Sequence, residues 1–85
     1  MVPLFLLILK VPIMKYYYFS LNISYQEFVA HYSGVAANVV VMTDQGLRLQ
    51  LPASRFRTYL SQLGVKGRFR LTTDENNKFH KLESI

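Results

Sequence analysis

Asn38-Val39-Val40-Val41-Met42-Thr43-Asp44-Gln45-Gly46-Leu47-Arg48-Leu49-Gln50-Leu51 is the stretch on which the fold turns. Its first part, residues 38–43, is a β-branched apolar run short enough for a buried strand. Asp44, Gln45 and Gly46 carry turn chemistry. Residues 47–51 alternate, with Leu47, Leu49 and Leu51 on one parity and Arg48 and Gln50 on the other. Two strands around a short polar turn predict a β-hairpin.

Outward to the N-terminal side, residues 15–23 (KYYYFSLNI) also read as a strand. Tyr17, Phe19, Leu21 and Ile23 share its core parity, which leaves Tyr16 and Tyr18 on the other face with Ser20 and Asn22. Residues 24–27 (SYQE) then form a capping box. The Ser24 hydroxyl accepts from the Glu27 amide, and the Glu27 carboxylate reaches back to the amide of Ser24. Ile23 and Phe28 have the spacing of a hydrophobic staple. Tyr25, Phe28, Val29 and Tyr32 fall at i, i+3, i+4, i+7, which predicts a short helix that Gly34 stops.

To the C-terminal side, Pro52 ends the strand and opens a second helix. Phe56, Tyr59, Leu60 and Leu63 mark its apolar stripe, and Gly64 closes it. Residues 67–73 (GRFRLTT) alternate, with Phe69 and Leu71 inward and Arg68, Arg70 and Thr72 outward. Residues 74–77 (DENN) are a turn. In the last strand, residues 78–83, Phe79 falls on one parity while His80 and Leu82 fall on the other. Either a bulge or an edge strand open on both sides accounts for that slip. The order is β-α-β-β-α-β-β. It predicts an α+β domain over residues 14–85, with a mainly antiparallel curved sheet or a small partly open barrel.

Residues 1–13 (MVPLFLLILKVPI) fall short of the ~20 apolar residues of a membrane span. They also lack the basic start and small-residue cleavage site of a secretory signal. They are expected to be a poorly ordered apolar extension outside the domain.

The 85-residue chain has no cysteine, which excludes disulfides, thiolate zinc sites and a cysteine nucleophile, and fits a reducing cytoplasm. A hydrophobic share of 51% with six Tyr and six Phe argues against disorder. His31 and His80 stand far apart and in no metal-ligand spacing, so no metal and no cofactor are expected. Ser24, Ser33, Ser54 and Ser61 occupy no nucleophile elbow, and no histidine joins a relay. An enzyme is therefore not expected. Asp44 and Asp74 are read as turn residues.

Ten Lys and Arg against five Asp and Glu leave a net charge of +5. Such a charge favours an anionic partner, RNA or an acidic protein. Arg48, Arg68 and Arg70 are outward on strands, Arg55 and Arg57 begin the second helix, and Lys66 follows it. If the hairpins are neighbours, these six form one basic surface able to hold phosphate through the forked guanidinium. The opposing reading is a solvated face whose charges deter edge pairing. Tyr16 and Tyr18 offer stacking for bases unless a helix covers them. No RNP1-like motif is present. Nor is the RxxxR with D/N-x-S-x-x-G of cyclic-dinucleotide domains, since Arg55 and Arg57 are two apart. A protein-interaction module, such as a homodimer through an edge strand or the exposed tyrosines, is the alternative function.

The stretches KYYYFSLNISYQEF, NVVVMTDQGLRLQLPASRFR and GRFRLTTDENNKFHKLES resemble the DUF2835 family of short bacterial proteins. The resemblance covers nearly all of residues 14–85. That family is uncharacterised, so the resemblance implies no activity, cofactor or catalytic residues.

Overall fold

A computed structural model describes residues 13–85. The expectation for the N-terminal extension lies outside the described residues, apart from Ile13. The elements run β1 (Met14–Ile23), α1 (Tyr25–Tyr32), β2 (Asn38–Met42), β3 (Arg48–Pro52), a 3-10 helix (Ala53–Tyr59), β4 (Val65–Asp74) and β5 (Phe79–Ser84). Their order is the expected one, and every strand pair is antiparallel.

β1, β4 and β5 form one sheet in that spatial order, and β2 with β3 forms a second. A single bridge, Phe19 to Thr43, links the two, and beside it the Asp44 amide donates to the Tyr18 carbonyl at 2.8 Å. The strands therefore follow each other as β3-β2-β1-β4-β5 without closing between β3 and β5. This is the curved, unclosed antiparallel arrangement that the sequence predicts.

The core explains the parities. Phe19 and Phe69 are register partners whose rings stack at 5.8 Å. Phe56 of the 3-10 helix packs edge-on against both, at 6.3 and 5.7 Å. Phe28 of α1, Val39 and Val41 of β2, Leu51 of β3, and Val65 and Leu71 of β4 complete it. Burying one such side chain contributes about 1.5–3 kcal/mol. Both helical segments thus cover the inner face of the three-stranded sheet.

β2 is buried on one face only: Val39 and Val41 point in, whereas Val40 and Met42 are exposed. Leu47, expected inward, is 46% exposed because β3 begins only at Arg48. Leu47 instead closes the hairpin. Its carbonyl accepts from the Thr43 amide at 2.8 Å, and its own amide donates to the Thr43 hydroxyl at 3.0 Å.

Ser24 caps α1, accepting from the Glu27 amide at 3.2 Å, but only this half of the expected capping box forms: the Ser24 amide makes no bond to the Glu27 carboxylate. Of the predicted apolar stripe, however, only Phe28 is fully buried, while Tyr25 and Val29 are about half exposed. The helix ends at Tyr32 rather than by a glycine stop. Ser33 stays right-handed, and its hydroxyl donates to the Val29 carbonyl at 2.7 Å.

The second helix differs most from expectation. It is a 3-10 segment that stops at Tyr59, and Leu60 is already extended. Leu63 is 73% exposed. Residues 61–64 form a tight turn with reciprocal 3.0 Å backbone bonds between Ser61 and Gly64, so Gly64 is a turn residue with φ +107° and not a helix stop.

β5 is both an edge strand and bulged. Thr72 pairs with Lys81 and Thr73 with Phe79, so His80 is the extra residue that shifts the parity. The seam between β5 and β3 is bridged by the 3-10 helix: the Tyr59 hydroxyl donates to the Leu82 carbonyl at 2.6 Å.

Candidate nucleic-acid interface

The outer face of the three-stranded sheet is built by strand pairing. Side chains directly opposite on antiparallel strands share a face. Tyr16 stands opposite Thr72, Tyr18 opposite Arg70, Ser20 opposite Arg68 and Asn22 opposite Lys66. On the far side of β4, Thr72 faces Lys81 and Arg70 faces Glu83. One face therefore gathers Tyr16, Tyr18, Lys66, Arg68 and Arg70. No described helix covers it, since both helical segments lie on the inner face. Tyr16 is 49% exposed and Tyr18 partly so. Thr72 shares the outward parity but is buried between long neighbours in its row.

Lys66, Arg68 and Arg70 occupy alternate positions of β4. Alternate residues of a strand are about 7 Å apart, so the three cations are spaced in a row along β4. Tyr16 and Tyr18 flank the line from β1, and the Arg70 guanidinium lies 5.6 Å from the Tyr16 ring centre.

The arginines on this line are engaged, which their parity alone does not reveal. The Asp44 carboxylate accepts from Arg68 Nη1 at 3.0 Å and Nη2 at 2.6 Å, and Ser20 Oγ accepts from Nη1 at 3.1 Å. Arg70 donates from Nε and Nη2 to one oxygen of Glu83, at 3.0 and 2.9 Å, with Lys81 Nζ at 3.7 Å. These bonds hold the Asp44 carboxyl below its ordinary range, chiefly through hydrogen bonding from Arg68. They do the same for Glu83, chiefly through Arg70. Both guanidiniums are pushed further up by the same partners. Asp44 is thus more than a turn residue.

The other three predicted cations do not join the line, so the single six-residue basic surface is corrected to a smaller one. Arg48 lies on the outer face of the β2–β3 hairpin, opposite Met42. The Arg55 guanidinium sits 3.8 Å over the Phe79 ring, and Phe79 pairs with the buried Thr73 on the inward parity. Arg57 Nη2 donates to the Ser33 carbonyl at 3.1 Å, a cation at the C-terminal end of α1, where the helix dipole favours it.

Asp44, Lys81 and Glu83 are the members of the face that sequence reasoning passes over, and Ser20 is placed there without a role. Glu83 has a readable signal, because a bulge at His80 places it opposite Arg70. Asp44 has none, since its partner comes from a distant strand. Among the described residues there is no cluster of His, Asp or Glu able to hold a metal, no concave pocket, and no helix long and apolar enough to cross a membrane.

The fold and this face define a small α+β protein with an open, aromatic and basic sheet surface. Residues 15–85 match the model of the family described as protein of unknown function DUF2835, and the chain belongs to that family. No curated protein and no solved structure matches the chain.

Proposed function

We propose that this protein is a cytoplasmic binding module that takes single-stranded RNA across the outer face of the β1–β4–β5 sheet. The observation that carries this reading is the line Lys66–Arg68–Arg70 beside Tyr16 and Tyr18. A regular row of cations suits a linear polyanion better than a compact anion. Exposed tyrosines on a sheet supply π-faces for unpaired bases, worth about 1–3 kcal/mol per stacked base. The absence of cysteine supports the reducing compartment.

The alternative, a homodimer through an edge strand, has less behind it. β5 is bulged at His80, its Leu82 carbonyl is taken by Tyr59, and β3 ends on Pro52, which lacks an amide hydrogen.

The test is fluorescence anisotropy with the full chain and a labelled single-stranded RNA over a salt series. Binding is expected to weaken as salt rises, and Tyr16→Ala with Tyr18→Ala to weaken it at every salt concentration. Lys66→Gln should lower the salt slope by about 0.7. No binding at low salt, or binding indifferent to salt, overturns the proposal.

A further inference from the structure

The middle cation of the line, Arg68, is held by a carboxylate in the two-pronged geometry that a phosphate diester also accepts. We infer that Asp44 is an internal stand-in for phosphate: it holds Arg68 on the sheet face and gives way when an RNA phosphate takes its place. The inference rests on the RNA-binding reading and adds the residue that regulates the site.

The geometry around the pair favours exchange at Arg68. Both side chains are nearly half exposed, at 44% and 49%, so an incoming phosphate reaches them without opening the core. An exposed ion pair contributes little to stability, so little is lost when it parts. The turn that carries Asp44 does not depend on its carboxylate. The Asp44 amide bonds to the Tyr18 carbonyl, the Gly46 amide to the Thr43 carbonyl, and the Thr43 amide to the Leu47 carbonyl. Ser20 Oγ also accepts from Arg68 Nη1 at 3.1 Å, a second hold on the guanidinium that does not involve the carboxylate.

Arg70 is built differently. Its partner Glu83 comes from the paired strand itself, is shared with Lys81, and is more sheltered, at 31% exposure. That pair remains in place and sets the edge of the path.

The selectivity follows. A lone acidic side chain competes one for one with Asp44, which is already tethered beside Arg68. A polynucleotide engages Lys66 and the tyrosines at the same time, and the tethered carboxylate cannot match that.

The experiment compares Asp44→Asn with Glu75→Gln, using a labelled single-stranded RNA and fluorescence anisotropy. Each variant removes one negative charge, and Glu75 is an exposed residue of the β4–β5 turn that makes no ion pair with the face. D44N is expected to bind roughly fivefold tighter than E75Q, and the gain should vanish in D44N combined with Arg68→Gln. If the unmodified protein binds and D44N equals or falls below E75Q, the exchange is wrong while the RNA face stands. If no variant binds at low salt, both fall. The 13C shift of the Asp44 carboxylate in the unmodified protein gives an independent reading. Saturating RNA should return its titration toward the ordinary aspartate range, and an unchanged titration refutes the exchange even if D44N fails to fold.

Discussion

Gly64 lies so close to Ile23 that a Cβ on Gly64 would sit 2.0 Å from the Ile23 carbonyl oxygen, with Ser24 and Tyr25 backbone atoms within 2.8 Å. The turn before β4 is therefore pressed against the exit of β1. The neighbour is backbone and cannot swing aside, and φ at Gly64 is +107°. Gly64→Ala is expected to destabilise the protein by at least about 2 kcal/mol, from strain and displaced backbone together. Urea unfolding measures it. A midpoint near that of the parent would show that the two turns do not meet in solution.

Phe56 and Leu63 offer a contrast within one predicted helix. Phe56 is fully buried between Phe19 and Phe69, and its truncation to Ala should cost about 3–5 kcal/mol. Leu63→Ala, at an exposed turn position, should stay within about 0.5 kcal/mol. Equal losses at the two positions would restore a long amphipathic helix in place of the 3-10 segment.

That contrast also shows where the sequence stops being legible. Phe56 and Tyr59 are three apart, a spacing common to α and 3-10 helices, so the pattern could not separate them. Leu60 and Leu63 extended the stripe on paper, although the chain turns away at Leu60. The strands were easier, because alternation marks the buried side: the parities of β1 and β4 and the hairpin at Asp44-Gln45-Gly46 follow from it, whereas the parity slip in β5 fits a bulge or an open edge equally, and β5 is both. Placing Tyr16 and Tyr18 opposite Thr72 and Arg70 required the register. The engagement of Arg68 by Asp44 required tertiary structure, because turn chemistry already accounted for that aspartate locally.

Tyr59 closes the gap that the unclosed sheet leaves. Tyr59→Phe removes the hydroxyl from the Leu82 carbonyl while keeping the ring, which packs edge-on at 5.3 Å against Phe69. The expected cost is about 1 kcal/mol. Amide hydrogen exchange should accelerate in β5 before it does in β2 and β3. Uniform acceleration would assign the loss to the core instead.

Acid should loosen the outer face first. Asp44 and Glu83 both titrate below their unfolded values, held there by Arg68 and Arg70. Their contribution to stability is complete above the unfolded carboxylate range, about pH 4, and is lost as pH falls through the lowered folded values. The double variant Asp44→Asn with Glu83→Gln should therefore show a flatter decline of the unfolding midpoint between about pH 5 and pH 2 than the parent. Superimposable acid limbs would mean that these pairs add nothing measurable to stability.

The pairing of β1 with β4 sets the order in which the protein can be assembled. Met14 pairs with Asp74 and Phe19 with Phe69, so until the fourth strand has been synthesised the first has no ladder partner, only the Phe19–Thr43 bridge to the hairpin. On the ribosome, α1 and the β2–β3 hairpin can form early from local contacts, while the apolar side of β1 waits uncovered. The tyrosine and arginine face comes into being only once β4 has been made, so a product lacking β4 would present a naked aromatic strand without the cations that stand opposite it.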